Sequence, residues 1–354
     1  MTRKRAVNYR ETTPEPESSS EESVQRDPNS KKERKKRVKL NREDLSRANS
    51  SNLKTESPGE KATKILKYDY STTASSPYPD WAHPSPSEVE VVFNLLEKKH
   101  GKIEISRTKP SLMLEIEGCN DEEPALIDTM VRARLSAGTN DMNASRAFMG
   151  ILSKFGRRKP GNGLGIVDWN AVRLAPLEDL YEAIKTGGMG NVKSRSIKAI
   201  LDMVYEENID RQKRGIIAKD VTGIDLLSIE HTRVLSKDEV FENFLKFPGI
   251  GPKTAACIIS ICMQHNSFAV DTHVYRICTW LGWVPPKTDR DGMFAHLETK
   301  IPDHLKFDLH YLMIRHGRSC QRCRGNANAA GEGWQEADCP LEQLVRRHRK
   351  QKKI

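Results

Sequence analysis

The sequence predicts an all-α fold. Three observations carry that reading: apolar residues recur at helical spacing, Ser/Glu pairs mark helix starts, and no run alternates polar and apolar residues as a half-buried strand would. The first 85 residues are rich in Ser, Pro, Glu and Lys and poor in apolar side chains. Such a composition does not offset the entropy of ordering, so residues 1–85 are expected to form a long disordered basic tail, with the folded part starting at Pro86.

Ser85 and Glu88 form a capping box with proline in the first turn, and Val89, Val92, Phe93 and Leu96 give the buried stripe of a helix that ends at Gly101. A second capping box, Ser236 with Glu239, opens a helix whose apolar positions are Val240, Phe241, Phe244 and Leu245. That helix is expected to end near Phe247, where Pro248 stops it. Gly249 and Gly251 then permit positive backbone angles and the close approach of a partner. The next helix begins near Lys253 and buries Ala255, Ile258, Ile259 and Cys262. Its unpaired amides, together with those of the turn, make a phosphate site in which Gly249, Gly251 and Thr254 are the contact residues. The pattern is a helix-hairpin-helix. Taken alone, it only grips a DNA backbone, with Lys253 as one more phosphate contact.

Lys253 does more if its amine is neutral. Desolvation and the positive end of its own helix both disfavour the ammonium form, which makes it a candidate nucleophile. Asp271 stands 18 residues further on, after Phe268, Ala269 and Val270 and before a helix marked by Val274, Ile277, Cys278 and Leu281. It reads as a helix N-cap, and a carboxylate held there also stabilises positive charge growing on a sugar.

With FPGIGPKTA at 247–255 and AVDTH at 269–273, the chain resembles the endonuclease III branch of the helix-hairpin-helix DNA glycosylase superfamily. The resemblance runs from about Pro86 to Cys339. It implies two all-helical lobes with a DNA cleft between them: residues 119–267 as a bundle carrying the hairpin, and residues 86–118 with 268–344 as the second lobe. It also implies that Lys253 attacks the sugar C1′ and that Asp271 assists, in a bifunctional glycosylase and abasic-site lyase acting on double-stranded DNA. Oxidised pyrimidine is the favoured base. The LGWVP and FDLHY segments resemble the plant 5-methylcytosine glycosylases, which is the alternative substrate class. A catalytically silent DNA-binding module is the alternative from another class.

Three further segments follow from the resemblance. LSAGTND at 135–141 places Gly138 where the family's glutamine enters the space left by an extruded base. GGMGNVKSRSI at 187–197 places Met189 at an apolar wedge position, with Lys193 and Arg195 as phosphate contacts. FDLHYLMIRHGR at 307–318 matches the helix before the family's metal-cluster loop. Two insertions, about 156–168 and 206–235, are expected to be surface loops.

Seven cysteines without a signal peptide point to a reducing compartment. Cys257, Cys262 and Cys278 fall among apolar helix positions and read as packing residues; Cys119 carries no motif. The family's C-x6-C-x2-C-x5-C cluster pattern is incomplete here, because only Cys320, Cys323 and Cys339 are present while Glu336 and Val345 occupy expected ligand positions. No cofactor is therefore expected. A [4Fe-4S] cluster at the incomplete site is the alternative, followed by zinc on the three cysteines with a histidine such as His316.

Net charge is +10, concentrated at the ends: residues 1–85 hold 18 basic and 13 acidic side chains, and residues 345–354 hold six basic and none acidic. Residues 345–354 read as a basic C-terminal tail, and both tails are expected to supply salt-sensitive DNA affinity. KKERKKRVK at 31–39 resembles a nuclear localisation signal. There is no nucleotide-cofactor fingerprint and no membrane segment, and a monomer is the expected state.

Overall fold

A computed structural model describes residues 67–71, 74–104, 125–158 and 165–347. Among them are helices α1 (Pro86–His100), α2 (Leu126–Ser136), α3 (Asp141–Phe155), α4 (Trp169–Leu174), α5 (Leu177–Ile184) and α6 (Gly190–Lys213). The second half adds α7 (Lys237–Leu245), α8 (Pro252–Cys262), α9 (Thr272–Leu281), α10 (Arg290–Lys300) and α11 (Asp303–Ser319). The only extended pairing among the described residues is an isolated antiparallel bridge between Arg157 and Val167. The fold is all-α, as the sequence predicted.

Both capping boxes form. Ser85 Oγ accepts the Glu88 amide at 3.3 Å while Glu88 accepts the Ser85 amide at 2.7 Å, and Ser236 with Glu239 repeats the arrangement. Helices α1 and α9 each pack on α11; α2 packs on α3 and α8, α5 joins α3 to α6, and α7 lies along α8. Two groups of helices result, with α2 and α8 of one and α11 of the other flanking a common cavity.

Four expectations fail. The folded part begins before Pro86: Tyr70 is buried against Phe241 and Phe294, the Trp81 indole donates to the Gly282 carbonyl at 3.2 Å, and Ser76 meets His296 at 2.6 Å. Averaging composition over 85 residues hid the aromatic density of residues 67–85. Residues 1–66 lie outside the described set. The stretch 206–235 is also no surface loop: α6 runs into it, the buried Asn208 amide donates to Leu226 O and Ser228 O at 2.7 Å each, and Leu226, Leu227 and Ile229 are buried. The end of the 156–168 insertion is buried too, because the Asp128 carboxylate accepts the Ile166 amide at 2.7 Å. Finally, Val345 packs on the core and the Arg346 amide donates to Trp280 O at 2.7 Å, so residues 345–347 are not tail.

The segment that leads to Asp271 is fixed by one buried carboxylate. Glu298 on α10 accepts the Phe268 amide at 2.7 Å, faces Lys306 at 3.2 Å and pairs with Lys237. Removing one member of such a buried set leaves the others uncompensated. Glu298→Ala is therefore expected to destabilise the protein by roughly 3 kcal/mol, read as a lowered denaturant midpoint; a midpoint within error of the parent's refutes the assignment.

Candidate active site

The turn Phe247–Gly251 joins α7 to α8. Gly249 has a φ of 79°, and a Cβ there would collide with the Arg134 guanidinium, so the turn requires glycine. Gly251 differs from expectation, because its φ of −112° is accessible to any residue. A Cβ at 251 meets nothing of this chain within 4 Å, so the space it frees lies outside the molecule. Pro252 fills the first turn of α8 and Lys253 follows. No side chain caps this helix start, which leaves its first amides to a ligand or to water.

Asp271 caps α9. Its Oδ1 accepts the amides of His273 and Val274, each at 2.8 Å, and the cap leaves Oδ2 outside it. Lys253 and Asp271 line one cavity of about 550 Å³, a volume suited to a nucleobase-sized ligand. Asp141, Thr254, Cys257, His310 and Tyr311 contribute to the same wall. Burial pushes the Tyr311 phenol up and keeps it neutral. His310 donates from Nδ1 to Ala269 O at 2.7 Å, tying α11 to the strand of chain before Asp271.

The charge state of Lys253 corrects the sequence reading. Negative charge on Cys257, one turn along α8, raises the amine above its ordinary value; burial pulls the other way, and Asp271 adds to the rise. The protein thus stores Lys253 as an ammonium, because its helix start carries a thiol and a carboxylate as partners. Burial pushes the Cys257 thiol up, but Lys253 and a hydrogen bond with His310 outweigh it and bring it down to about 7. Cys257 packs on the core, as expected, and also lines the cavity beside Lys253. The signal that marks it is its i, i+4 spacing from Lys253.

The family model described as HhH-GPD superfamily base excision DNA repair protein matches residues 131–303. A candidate DNA glycosylase of Arabidopsis thaliana is 31% identical over 311 residues, covering 80% of this chain and 97% of that protein. The chain belongs to the HhH-GPD superfamily. Within it, endonuclease III of Thermotoga maritima is 27% identical over 56% of this chain and 76% of its own length. The DNA glycosylase/AP lyase ROS1 of Arabidopsis thaliana is 29% identical over 49% of this chain but only 13% of its own length. A solved endonuclease III–DNA complex superposes with a TM-score of 0.50 at 20% identity, over 74% of this chain and 95% of that one, which establishes the shared fold.

The other residues singled out in this HhH-GPD chain divide. Gly138, with φ 69°, and Met189, with φ 55°, are neighbours: a Cβ on residue 138 would stand 2.9 Å from Met189 Sδ. The space beside Gly138 is thus occupied by the methionine, which is 54% exposed and no core residue. Arg195 is exposed. Lys193 is not: it is fully buried and donates to the carbonyls of Leu135 at 2.6 Å and Gly187 at 3.3 Å, closing the end of α2 instead of meeting phosphate. Thr254 is buried but lines the cavity. Cys262 and Cys278 are core residues, as expected, and Cys119 lies outside the described residues. Cys320, Cys323 and Cys339 converge with His316, their donor atoms all within 4.8 Å of one another.

The Lys253–Cys257 pairing is testable without any substrate. Alkylation of Cys257, followed by peptide mass, is expected to be half-maximal near pH 7, and Lys253→Gln is expected to move that midpoint upward by a unit or more, roughly to the reference thiol value. An unmoved midpoint disproves the pairing.

Proposed function

We propose that this chain is a bifunctional DNA N-glycosylase and abasic-site lyase of base-excision repair, taking an oxidised pyrimidine from double-stranded DNA. One observation carries the reading: in a member of a base-excision family, the lysine at the hairpin helix start and the aspartate capping the next helix open onto the same cavity.

In the proposed reaction the target nucleotide is turned out of the duplex into that cavity. Lys253 Nζ, once deprotonated, bonds to C1′ as the bond from C1′ to the base nitrogen breaks; the base leaves with the electron pair and gains a proton. Ring opening gives a Schiff base between Nζ and C1′. Loss of a C2′ proton then expels the 3′ phosphate, and hydrolysis returns the amine. Asp271 receives the lysine proton and offsets positive charge on the sugar. Because Lys253 begins as an ammonium, that deprotonation belongs to the barrier.

The amides at Gly249, Gly251 and Thr254 hold phosphate at the uncapped start of α8, Met189 wedges into the stack beside Gly138, and Arg195 meets the opposite backbone. The cleft lies between the helices that carry the hairpin and the group formed by α1, α9 and α11. The basic termini add salt-sensitive affinity, the site of action is the nucleus, and the chain acts as a monomer. No step passes through the cysteine cluster. A second reading, 5-methylcytosine or a related modified base, is supported by the LGWVP and FDLHY segments and by the likeness to the DNA glycosylase/AP lyase ROS1.

Borohydride trapping on duplexes carrying thymine glycol, dihydrouracil, 5-methylcytosine, 8-oxoguanine or an abasic site tests both readings. The parent chain is expected to cross-link to the oxidised pyrimidines, Lys253→Gln to none, and Asp271→Asn about 10²-fold more slowly. Trapping confined to 5-methylcytosine and the abasic site selects the second reading. A parent chain that traps on no duplex is a DNA-binding module.

A further inference from the structure

The cysteine cluster differs from the family's cluster in spacing, donor set and size. His316 sits in the last turn of α11, Cys320 follows it as the C-cap, and a turn returns the chain so that the Cys323 and Arg324 amides donate to Cys320 O at 3.1 and 2.9 Å. Cys339 completes the set from beyond a 15-residue connection. The pattern H-x3-C-x2-C-x15-C places two donors across a tight C-x2-C turn, a spacing common in structural zinc sites.

Distances decide between the candidates. Cys323 Sγ and Cys339 Sγ are 3.7 Å apart, Cys339 Sγ and His316 Nε2 are 3.6 Å apart, and no pair of the four donors exceeds 4.8 Å. A tetrahedral ion with Zn–S bonds of about 2.3 Å and a Zn–N bond of about 2.0 Å separates its donors by roughly 3.5–3.8 Å. A four-iron cube puts iron and sulfide between the thiolates and so holds them farther apart than one shared ion does. The residues do not fit a [4Fe-4S] cluster: the donors are too close, and Val345 stands where a fourth thiolate is expected.

The surroundings suit a single dication. Cys323 and His316 are fully buried and Cys339 nearly so. His316 Nδ1 is 2.9 Å from His100 Nε2, an outer partner that fixes the ring and leaves Nε2 for the metal. Arg347 Nη2 lies 3.4 Å from both Cys323 Sγ and Cys339 Sγ, so its charge offsets the net negative charge of three thiolates around one dication. Nothing in the proposed DNA chemistry uses this site.

We infer that His316, Cys320, Cys323 and Cys339 form a closed, mononuclear structural zinc site. It clasps the end of α11 to the C-terminal segment at the place where relatives of this fold carry an iron–sulfur cluster.

The test is metal analysis of the full chain produced with both zinc and iron supplied. Expected is about one zinc per chain with no matching iron or sulfide, and replacement by cobalt giving the visible absorption of a tetrahedral thiolate site. Cys339→Ser is expected to lose the metal, whereas His316→Cys, which supplies a fourth thiolate, retains zinc; the second variant keeps the test valid if the first does not fold. Stoichiometric iron and sulfide with broad absorption near ~400 nm overturns the inference. So does metal-free folded protein in which Cys323 and Cys339 are joined as a disulfide or titrate as free thiols. Metal content is read without DNA, so this outcome is independent of the trapping experiment.

Discussion

Three helix starts converge on one cavity, and that convergence is the constraint on which the site depends. Asp141 opens α3, Lys253 stands second in α8, and Asp271 caps α9; all three line the same space. Each start carries a partial positive charge from its helix dipole, and Lys253 adds a full one. The field suits an anionic backbone, but it needs local carboxylates if the ligand-free protein is to be stable. Asp141 and Asp271 supply them, and Asp141 also meets Arg318 of α11 at 3.0 Å across the mouth. Both partners of that last pair are exposed, so it orders the rim and adds little to stability.

The same balance explains why Lys253 is stored as an ammonium. A lone amine at a helix start would lose its proton readily, but here a thiolate one turn on and a carboxylate across the cavity make the charged form the lower one. In the proposed reaction that proton must leave before C1′ is attacked. Cys257, with a pKa of about 7, is ionised in part at neutral pH, so its control of the lysine varies across the physiological range.

Local signals were legible in the sequence and relations between distant segments were not. The boxes at Ser85 and Ser236, the stop at Pro248, the required glycine at 249 and the cap at Asp271 each depend on residues within a few positions, and each forms as read. Lys193 was misread because a lysine's charge says nothing about which carbonyls lie 58 residues away; Leu135 O is one of them. Tyr70 was missed because its partners, Phe241 and Phe294, are far along the chain. The place of Cys257 in the cavity was missed for a different reason: one face of α8 serves the core and another the cavity, and apolar periodicity alone does not separate a cysteine on either.

Helix α11 connects the cavity to the cysteine cluster. His310 and Tyr311 stand in its middle and face the cavity, while His316, less than two turns on, belongs to the cysteine cluster. A helix of 17 residues anchored at both places cannot rotate about its axis without breaking one of them. Arg276 adds to the anchor by donating to Cys323 O at 2.9 and 2.7 Å and to Gly317 O at 3.1 Å, which joins α9, and hence the helix capped by Asp271, to the same corner. Gly317 permits that approach, since a Cβ there would stand 2.7 Å from the His273 ring. The cluster and the cavity are thus joined through α11 and Arg276, so that a shift of this corner moves Tyr311 and the helix capped by Asp271 together.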